Sequence, residues 1–327
     1  MSREFEWIAR FFRPLAAASP AGLELRDDAA VLTPAVGEDL VATADAMVAG
    51  VHFLADDPPG SIARKLLRVN LSDLAAMGAR PICYLLTVCL PADIEEAWIE
   101  AFAAGLAEDQ KRFAVALVGG DTTRTPGPMA LSLTALGAAP TGRALHRRTA
   151  AAGDRVYVSG TIGDAALALA AADGALAVEP GEADRRFLLE RLQLPVPRLE
   201  LGRALLERAL ATAAIDVSDG LVADLGHIAE ESALGAELAA DRVPLSPPAR
   251  RILEARPELL ETVVTGGDDY ELLFTVAPDR TAEIAPLAQE IGLPLTSIGV
   301  MKPGREVSVL DRGGRPLALR QSGWSHF

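Results

Sequence analysis

The sequence predicts a two-domain protein of mixed α and β structure, α/β or α+β rather than a helical bundle. Its 327 residues are 50% apolar, enough for two domains that each bury a core. Short apolar runs alternate with helical periodicities in both halves. Between the halves, Pro140, Gly142 and the basic stretch Arg143–Arg148 break both patterns. The expected domains are therefore 1–140 and 150–327.

Taken in order, Glu4–Phe12 has a helical period, and Leu40–Thr43 reads as a short strand ending at Asp45. Ser61 is placed to cap a helix carrying Leu66, Leu67, Leu71, Leu74 and Met77, which stops near Gly78 ahead of Pro81. Ile82–Leu90 is a strand. Glu95–Arg112 is an amphipathic helix with Trp98, Phe102, Leu106 and Asp109 spaced along it. Ala114–Val118 is a strand leading to a Gly119-Gly120 turn, and Met129–Leu136 alternates like a half-buried strand. In the second half, strand Arg155–Ser159 is followed by a glycine-bracketed turn, Gly160–Gly163, and an alanine-rich helix, Asp164–Ala172. Further helices are expected at Asp184–Leu192, Pro197–Leu210, Asp219–Ser232, Pro248–Ala255 and Thr281–Ile291. Strands are expected at Ala213–Val217, Thr262–Thr265 and Glu271–Val276.

The formal net charge is −14, a poor match for nucleic acid or an anionic membrane, which call for a basic surface. Phosphate ligands remain compatible with it, because bound cations reverse the local field. Cys83 and Cys89 lie an even number of residues apart in one apolar run. They face the same side of a strand, where a disulfide has poor geometry, and they read as buried residues of a cytoplasmic protein. The opening Met1-Ser2-Arg3-Glu4-Phe5-Glu6 is too charged for a signal peptide, and no apolar stretch reaches the ~20 residues that cross a bilayer.

Aspartates recur just after short apolar runs: Asp27-Asp28, Asp45, Asp73, Asp121, Asp216 with Asp219, and Asp268-Asp269. Carboxylates converging on one place repel one another unless cations sit among them. An all-oxygen set of this kind suits several Mg²⁺ ions with phosphate ligands. In Val118-Gly119-Gly120-Asp121-Thr122-Thr123-Arg124, the glycine pair permits a close backbone approach, with Asp121 for a metal and Arg124 for charge. The same residues equally suit a tight turn with a capped helix. In Ile215-Asp216-Val217-Ser218-Asp219-Gly220, Asp219 alone reads as a helix cap, but two acids favour metal ligation. Asn70 and Asp73 share a helical face. Asp27-Asp28 and Asp45, taken singly, are ordinary turn acids. His52, His146, His227 and His326 form no pair at zinc-ligand spacing. The lysine-containing phosphate loop, the protein-kinase set, the nucleophile elbow and the zinc-binding helix motif are absent from the sequence.

Together and in this order, these segments resemble the thiamine-monophosphate kinase family along nearly the whole chain. The resemblance is carried by Asp27-Asp28-Ala29-Ala30, by Asp45 and Val48-Ala49-Gly50 through His52-Phe53, and by Asn70-Leu71-Ser72-Asp73-Leu74-Ala75-Ala76-Met77-Gly78-Ala79. It continues through Gly119-Gly120-Asp121-Thr122-Thr123-Arg124, Gly142-Arg143-Ala144-Leu145 and Ile215-Asp216-Val217-Ser218-Asp219-Gly220-Leu221. Gly266-Gly267 with Asp269-Tyr270-Glu271-Leu272, and the ending Gly323-Trp324-Ser325-His326-Phe327, complete it.

The resemblance implies the two-domain fold of aminoimidazole ribonucleotide synthetase. In that fold the N-terminal α/β domain pairs with its twin into a dimeric barrel, and the C-terminal α/β domain closes the active-site cleft. It also implies a homodimer that phosphorylates thiamine monophosphate to thiamine diphosphate, with ATP as co-substrate and several Mg²⁺ ions. By motif match, Asp28, Thr43, Asp45, Asp73, Asp121, Asp216 and Asp219 would hold Mg²⁺. Gly120, Asp121, Arg147 and Ser218 would contact ATP, and His52, Asp268 and Trp324 the thiamine phosphate. Arg26, Ala44 and Asp268 stand where the family usually has Gly, Thr and Glu. The implied acceptor is a phosphate monoester, mostly a dianion at neutral pH, so no general base is assigned. Two related enzymes of the fold, selenophosphate synthetase and the hydrogenase-maturation dehydratase, need a Cys near the N-terminus or at the C-terminus, and this chain has neither. A nucleotide-binding sensor is the reading from another class, and it does not call for so many metal ligands.

Overall fold

The computed structural model describes residues 3–54, 56–176 and 178–324. The chain divides into two compact units. The first takes the described residues through Leu74 and then Ala79–Arg143; the second takes Ala75–Gly78 and the described chain from Ala144 onward. The change at Arg143/Ala144 falls in the basic stretch that interrupts the sequence pattern.

The first unit opens with helical turns α1 (Arg3–Trp7) and α2 (Arg13–Ala16), joined by a π-helical turn at Ile8–Phe12. Then follow β1 (Glu38–Val48), α3 (Pro59–Ala76), β2 (Arg80–Leu90), α4 (Glu96–Phe113), β3 (Ala116–Arg124) and β4 (Ala130–Pro140). The sheet order is β1-β4-β2-β3. Central β4 is antiparallel to both neighbours, and β2 runs parallel to β3 through the α4 crossover. Leu66, Leu67, Leu71 and Leu74 of α3 are fully buried, as are Phe102 and Leu106 of α4. Asp109 continues the buried stripe of α4, because Arg68 of α3 meets its carboxylate with two hydrogen bonds of 2.5 and 2.9 Å. Along β1 the burial alternates: Thr43 and Asp45 are half-buried, while Leu40, Ala42, Ala44 and Ala46 are exposed.

The second unit contains β5 (Arg155–Ser159), α5 (Asp164–Ala172), α6 (Glu182–Gln193), α7 (Leu199–Glu207), β6 (Ala211–Asp216), α8 (Leu221–Glu231) and β7 (Gly235–Ala239). It ends with α9 (Pro247–Ala255), α10 (Leu260–Thr265), β8 (Leu272–Val276), α11 (Ile284–Ile291), β9 (Leu295–Lys302) and β10 (Val307–Leu310). Its sheet has the order β10-β7-β9-β5-β8-β6, antiparallel except for the β10/β7 pair. Val156, Val158, Ile215 and Leu273 of the strands meet Leu167, Leu188, Leu225 and Ile228 of α5, α6 and α8 in one buried core.

Four local expectations are corrected. Thr262–Thr265 is the end of helix α10, not a strand: its Val-Val-Thr composition suits a strand, but the segment continues the turn at Pro257–Leu259 and both valines are buried. The Gly119-Gly120 pair is not a turn. β3 runs through it, pairing with Leu85 and Leu86, and Ala114 instead ends α4 in the left-handed conformation. Asp45 lies inside an 11-residue β1 rather than at a strand end. Asp219 is not the cap of α8, whose N-cap is Gly220. Strands β7, β9 and β10 go beyond the sequence reading. Gly235–Ala239 carries little β propensity, and β9 is interrupted by Gly299, where a Cβ would lie 2.3 Å from the Glu237 carbonyl.

Candidate active site

In the first unit, two groups of predicted residues come together. The Thr43 hydroxyl of β1 donates to the Asp73 carboxylate of α3 at 2.5 Å. Asn70, fully buried one helical turn earlier, accepts the Asp45 N–H at 3.2 Å and donates to the Leu66 carbonyl at 2.9 Å. Asn70 thus ties β1 to α3 and sets the register in which Thr43 faces Asp73. Ala44 is on the other face of β1, so the missing hydroxyl there leaves the Thr43–Asp73 contact intact.

The second group surrounds a cavity of about 500 Å³ lined by Asp27, Asp28, Gly119, Gly120, Asp121 and Thr122, with Phe12, Leu25, Leu86, Val88 and Leu117 as its apolar wall. The segment before Asp27-Asp28 reaches this place because Gly22 packs on β3, where a Cβ would stand 3.0 Å from the Val118 Cα. Gly120 has φ +154°, and a Cβ on it would lie 1.8 Å from the Leu86 carbonyl oxygen. Only glycine fits there. Asp121 is in register with Thr87 of β2, on the next position of the edge strand.

His52 lies in the turn after β1. The Val48 N–H donates to its Nδ1 at 3.0 Å, which puts the proton of the neutral ring on Nε2. The nearly buried Lys65 ammonium donates to the His52 carbonyl at 3.2 Å.

In the second unit, β6 delivers Asp216, 3% exposed, and the chain turns through Ser218, Asp219 and Gly220 into α8. The Asp268 N–H donates to the Ser218 carbonyl at 2.9 Å, and the Trp324 N–H donates to the Asp219 carbonyl at 2.9 Å. The turn, Asp268 and Trp324 are therefore neighbours. Trp324 is 56% exposed, and the rest of its motif, Ser325-His326-Phe327, lies outside the described residues. Arg147 is exposed, and its carbonyl accepts the Ser232 hydroxyl at 3.1 Å at the far end of α8. Eleven helical residues separate it from the Ser218 turn, a rise of about 16 Å. The structure does not bring Arg147 beside Ser218.

Asp224, Asp269 and Glu271 were not assigned roles from the sequence. One oxygen of Asp224 accepts the N–H groups of Ser218, Asp219 and Gly220. Burial and the neighbouring Asp219 charge nevertheless push its carboxyl up to about 7. Ligand atoms of Asp219, Asp224 and His227 lie within 4.8 Å of one another. Asp269 accepts the Gly163 N–H with both oxygens, at 2.9 and 3.0 Å. Glu271 receives Arg191, Arg198 and the Ser159 hydroxyl. Arg191 pairs with the buried Asp164 and Glu271, Arg198 pairs with Glu271 as well, and the buried Asp269 lies within the field of Arg191. Burial drives Asp269 well above the usual carboxylate range. These anchors flank Asp268 and Tyr270, both held at positive φ of +70° and +50°. The only sequence signal for Asp224 was an acid in the first turn of a helix, which ordinarily reads as dipole compensation.

Residues 26–139 match the N-terminal domain family of AIR synthase related protein, and residues 151–312 match its C-terminal domain family. Fold and site thus define a two-domain protein of the AIR synthase related class. Among curated proteins, thiamine-monophosphate kinase of Caulobacter vibrioides is 46% identical over 99% of this chain and 90% of its own length. The Escherichia coli K12 kinase is 41% identical over 99% and 98%. The crystal structure of the Stenotrophomonas maltophilia kinase superposes with a TM-score of 0.81 at 47% identity, covering 90% of this chain and 91% of that one. A structure of AaThiL complexed with AMPPCP and TMP superposes with a TM-score of 0.78 at 30% identity, covering 90% and 89%. The chain belongs to the thiamine-monophosphate kinase family.

Proposed function

We propose that this protein transfers the γ-phosphoryl group of ATP to the phosphate of thiamine monophosphate, giving ADP and thiamine diphosphate. The observation that carries the reading is the β3-edge cavity. It combines an apolar wall with Asp28, Gly120 and Asp121, in a chain whose relatives are thiamine-monophosphate kinases and include a structure holding AMPPCP and TMP.

The donor set fits Mg²⁺. It is all oxygen, with Thr43 already hydrogen-bonded to Asp73 and with Asp28 and Asp121 lining one cavity. Asp28, Thr43, Asp45, Asp73 and Asp121 of the first unit, and Asp216 and Asp219 of the second, would hold the ions. When bound, Mg²⁺ supplies positive charge between two phosphates whose mutual repulsion amounts to about 4 kcal/mol per unit-charge pair at 4 Å and an effective dielectric near 20.

The remaining roles are those implied by the motif match. Gly120 lets the backbone approach the nucleotide closely, and Ser218 offers a hydroxyl to it. Arg147, a helix length from Ser218, serves as a charged contact at a different part of the same nucleotide. His52 donates from Nε2 to the thiamine phosphate, Asp268 contacts it, and the Trp324 ring covers the cationic thiazolium. The acceptor phosphate is already an anion, so the reaction needs positioning rather than a base.

The protein is read as a cytoplasmic homodimer. Among the described residues, no helix is long and apolar enough to cross a membrane. One face of the first unit's sheet exposes Leu40 at 44% and Leu85 at 36% beside small alanines, a surface suited to a second copy of the same sheet. The decisive experiment incubates pure protein with ATP, Mg²⁺ and thiamine monophosphate and looks for thiamine diphosphate. Turnover of a different acceptor with no thiamine diphosphate would overturn the reading.

A further inference from the structure

Asp224 stands on the first turn of α8 and is 1% exposed. Its Oδ2 accepts the N–H groups of Ser218, Asp219 and Gly220 at 3.0, 3.1 and 3.1 Å. Successive N–H groups converging on one point form a concavity of the kind that binds anions. Here the chain fills it with its own carboxylate, so these donors are not open to a phosphate. The carbonyls of the turn are engaged as well, Ser218 with the Asp268 N–H and Asp219 with the Trp324 N–H. What the turn has left to offer a ligand is the half-buried side chains of Ser218 and Asp219.

We propose that Asp224 is a positioning residue of the phosphoryl-transfer site. By accepting three backbone N–H groups it fixes the turn that directs the Ser218 hydroxyl and the Asp219 carboxylate. The proposal rests on the reading of Ser218 as a nucleotide contact and Asp219 as a metal ligand. Acceptance of the three hydrogen bonds is the function, so an isosteric acceptor should replace the carboxylate.

The test measures the affinity of the full chain for AMPPCP with Mg²⁺ by calorimetry, a readout that needs no acceptor, alongside kcat and KM for both substrates. Asp224→Asn should stay within about threefold of the parent protein in AMPPCP affinity. Asp224→Ala should lose about 10- to 100-fold in AMPPCP affinity or kcat, the scale of removing a residue that orients a metal ligand. KM for thiamine monophosphate should move less than the nucleotide terms. If the alanine variant does not fold, Asp224→Glu, whose acceptor is displaced by a methylene, takes its place with the same expected loss. A folded Ala or Glu variant that binds AMPPCP like the parent overturns the proposal, as does an Asn variant as impaired as Ala. A parent protein that binds AMPPCP but makes no thiamine diphosphate would defeat the proposed reaction while leaving the role of Asp224 to be decided by the binding data. A parent that does not bind AMPPCP would overturn both.

Discussion

The Trp324 N–H donates to the Asp219 carbonyl at 2.9 Å, so a residue near the C-terminus is fastened to the turn that leads into α8. The attachment is close: a Cβ on the preceding Gly323 would stand 2.4 Å from the Ala223 Cβ. The bond is made by backbone, and the residue is 56% exposed.

Trp324→Ala should therefore keep the anchor and lose only the ring. A cation over an indole face is worth roughly 0.5–2 kcal/mol, so KM for thiamine monophosphate should rise about 2- to 30-fold with KM for ATP unchanged. Steady-state kinetics with each substrate varied separately checks this. An equal rise in both constants would remove Trp324 from the thiamine site.

His52→Ala should likewise act on the thiamine side and raise KM for thiamine monophosphate. His52→Gln tests which part of the ring matters, since its amide can still donate to a phosphate. Gln should recover more of the affinity than Ala. If KM is unchanged in both variants, His52 does not touch the substrate.

Asp121→Asn is nearly isosteric and lies on an exposed stretch of the edge strand, so the fold should survive. Its kcat should fall at least about a hundredfold, the scale of losing one preorganised electrostatic stabiliser. Circular dichroism verifies the fold, and formation of thiamine diphosphate gives the rate.

Asp269 makes stability depend on pH. Its carboxyl is raised in the folded protein, chiefly by burial, so the folded state binds the proton more tightly than the unfolded chain does. The stability contributed by this proton is fully present below the unfolded carboxylate value near 4 and is lost as pH rises through the folded value. Asp269→Asn should flatten that decline. Urea midpoints measured across pH, with the m-value held constant, compare the slopes, and parallel curves would contradict the assignment.

Arg68 and Asp109 join α3 to α4 inside the first unit, at 2% and 0% exposure. Arg68→Met leaves a buried carboxylate with Arg64 as its remaining partner, whose Nε stands 3.2 Å away. The expected loss is about 3 kcal/mol, the lower part of the range for breaking a buried pair. The paired change Arg68→Met with Asp109→Leu should lose less than Arg68→Met alone, and equilibrium unfolding of both variants measures the difference.

The helices α3, α4 and α8 were legible because their apolar periods are long, and α3 is also stopped by Gly78. Strands β7, β9 and β10 were not: β7 has weak propensity, β9 is broken by Gly299 and β10 is only 4 residues long, and all three are held by the neighbouring strands. Thr262–Thr265 shows the reverse: high β propensity is overridden by the turn it continues. In the candidate site, the motifs located Asp28, Asp73, Asp121, Asp216 and Asp219 along the chain, although most of them, taken singly, suited an ordinary cap, turn or solvated face, and only the Asp216/Asp219 pair favoured a metal by itself.

The residue types and their order along the chain were enough to point to the family and to a set of hard oxygen ligands. Which of those residues meet was a matter of tertiary structure. Asp28 and Asp121 line one cavity because Gly22 packs on β3, and Thr43 faces Asp73 because Asn70 ties β1 to α3. Arg147 was separated from Ser218 by the length of α8. Asp224 emerged only in three dimensions, because its partners are backbone N–H groups, which every non-proline residue carries and no side-chain pattern reveals.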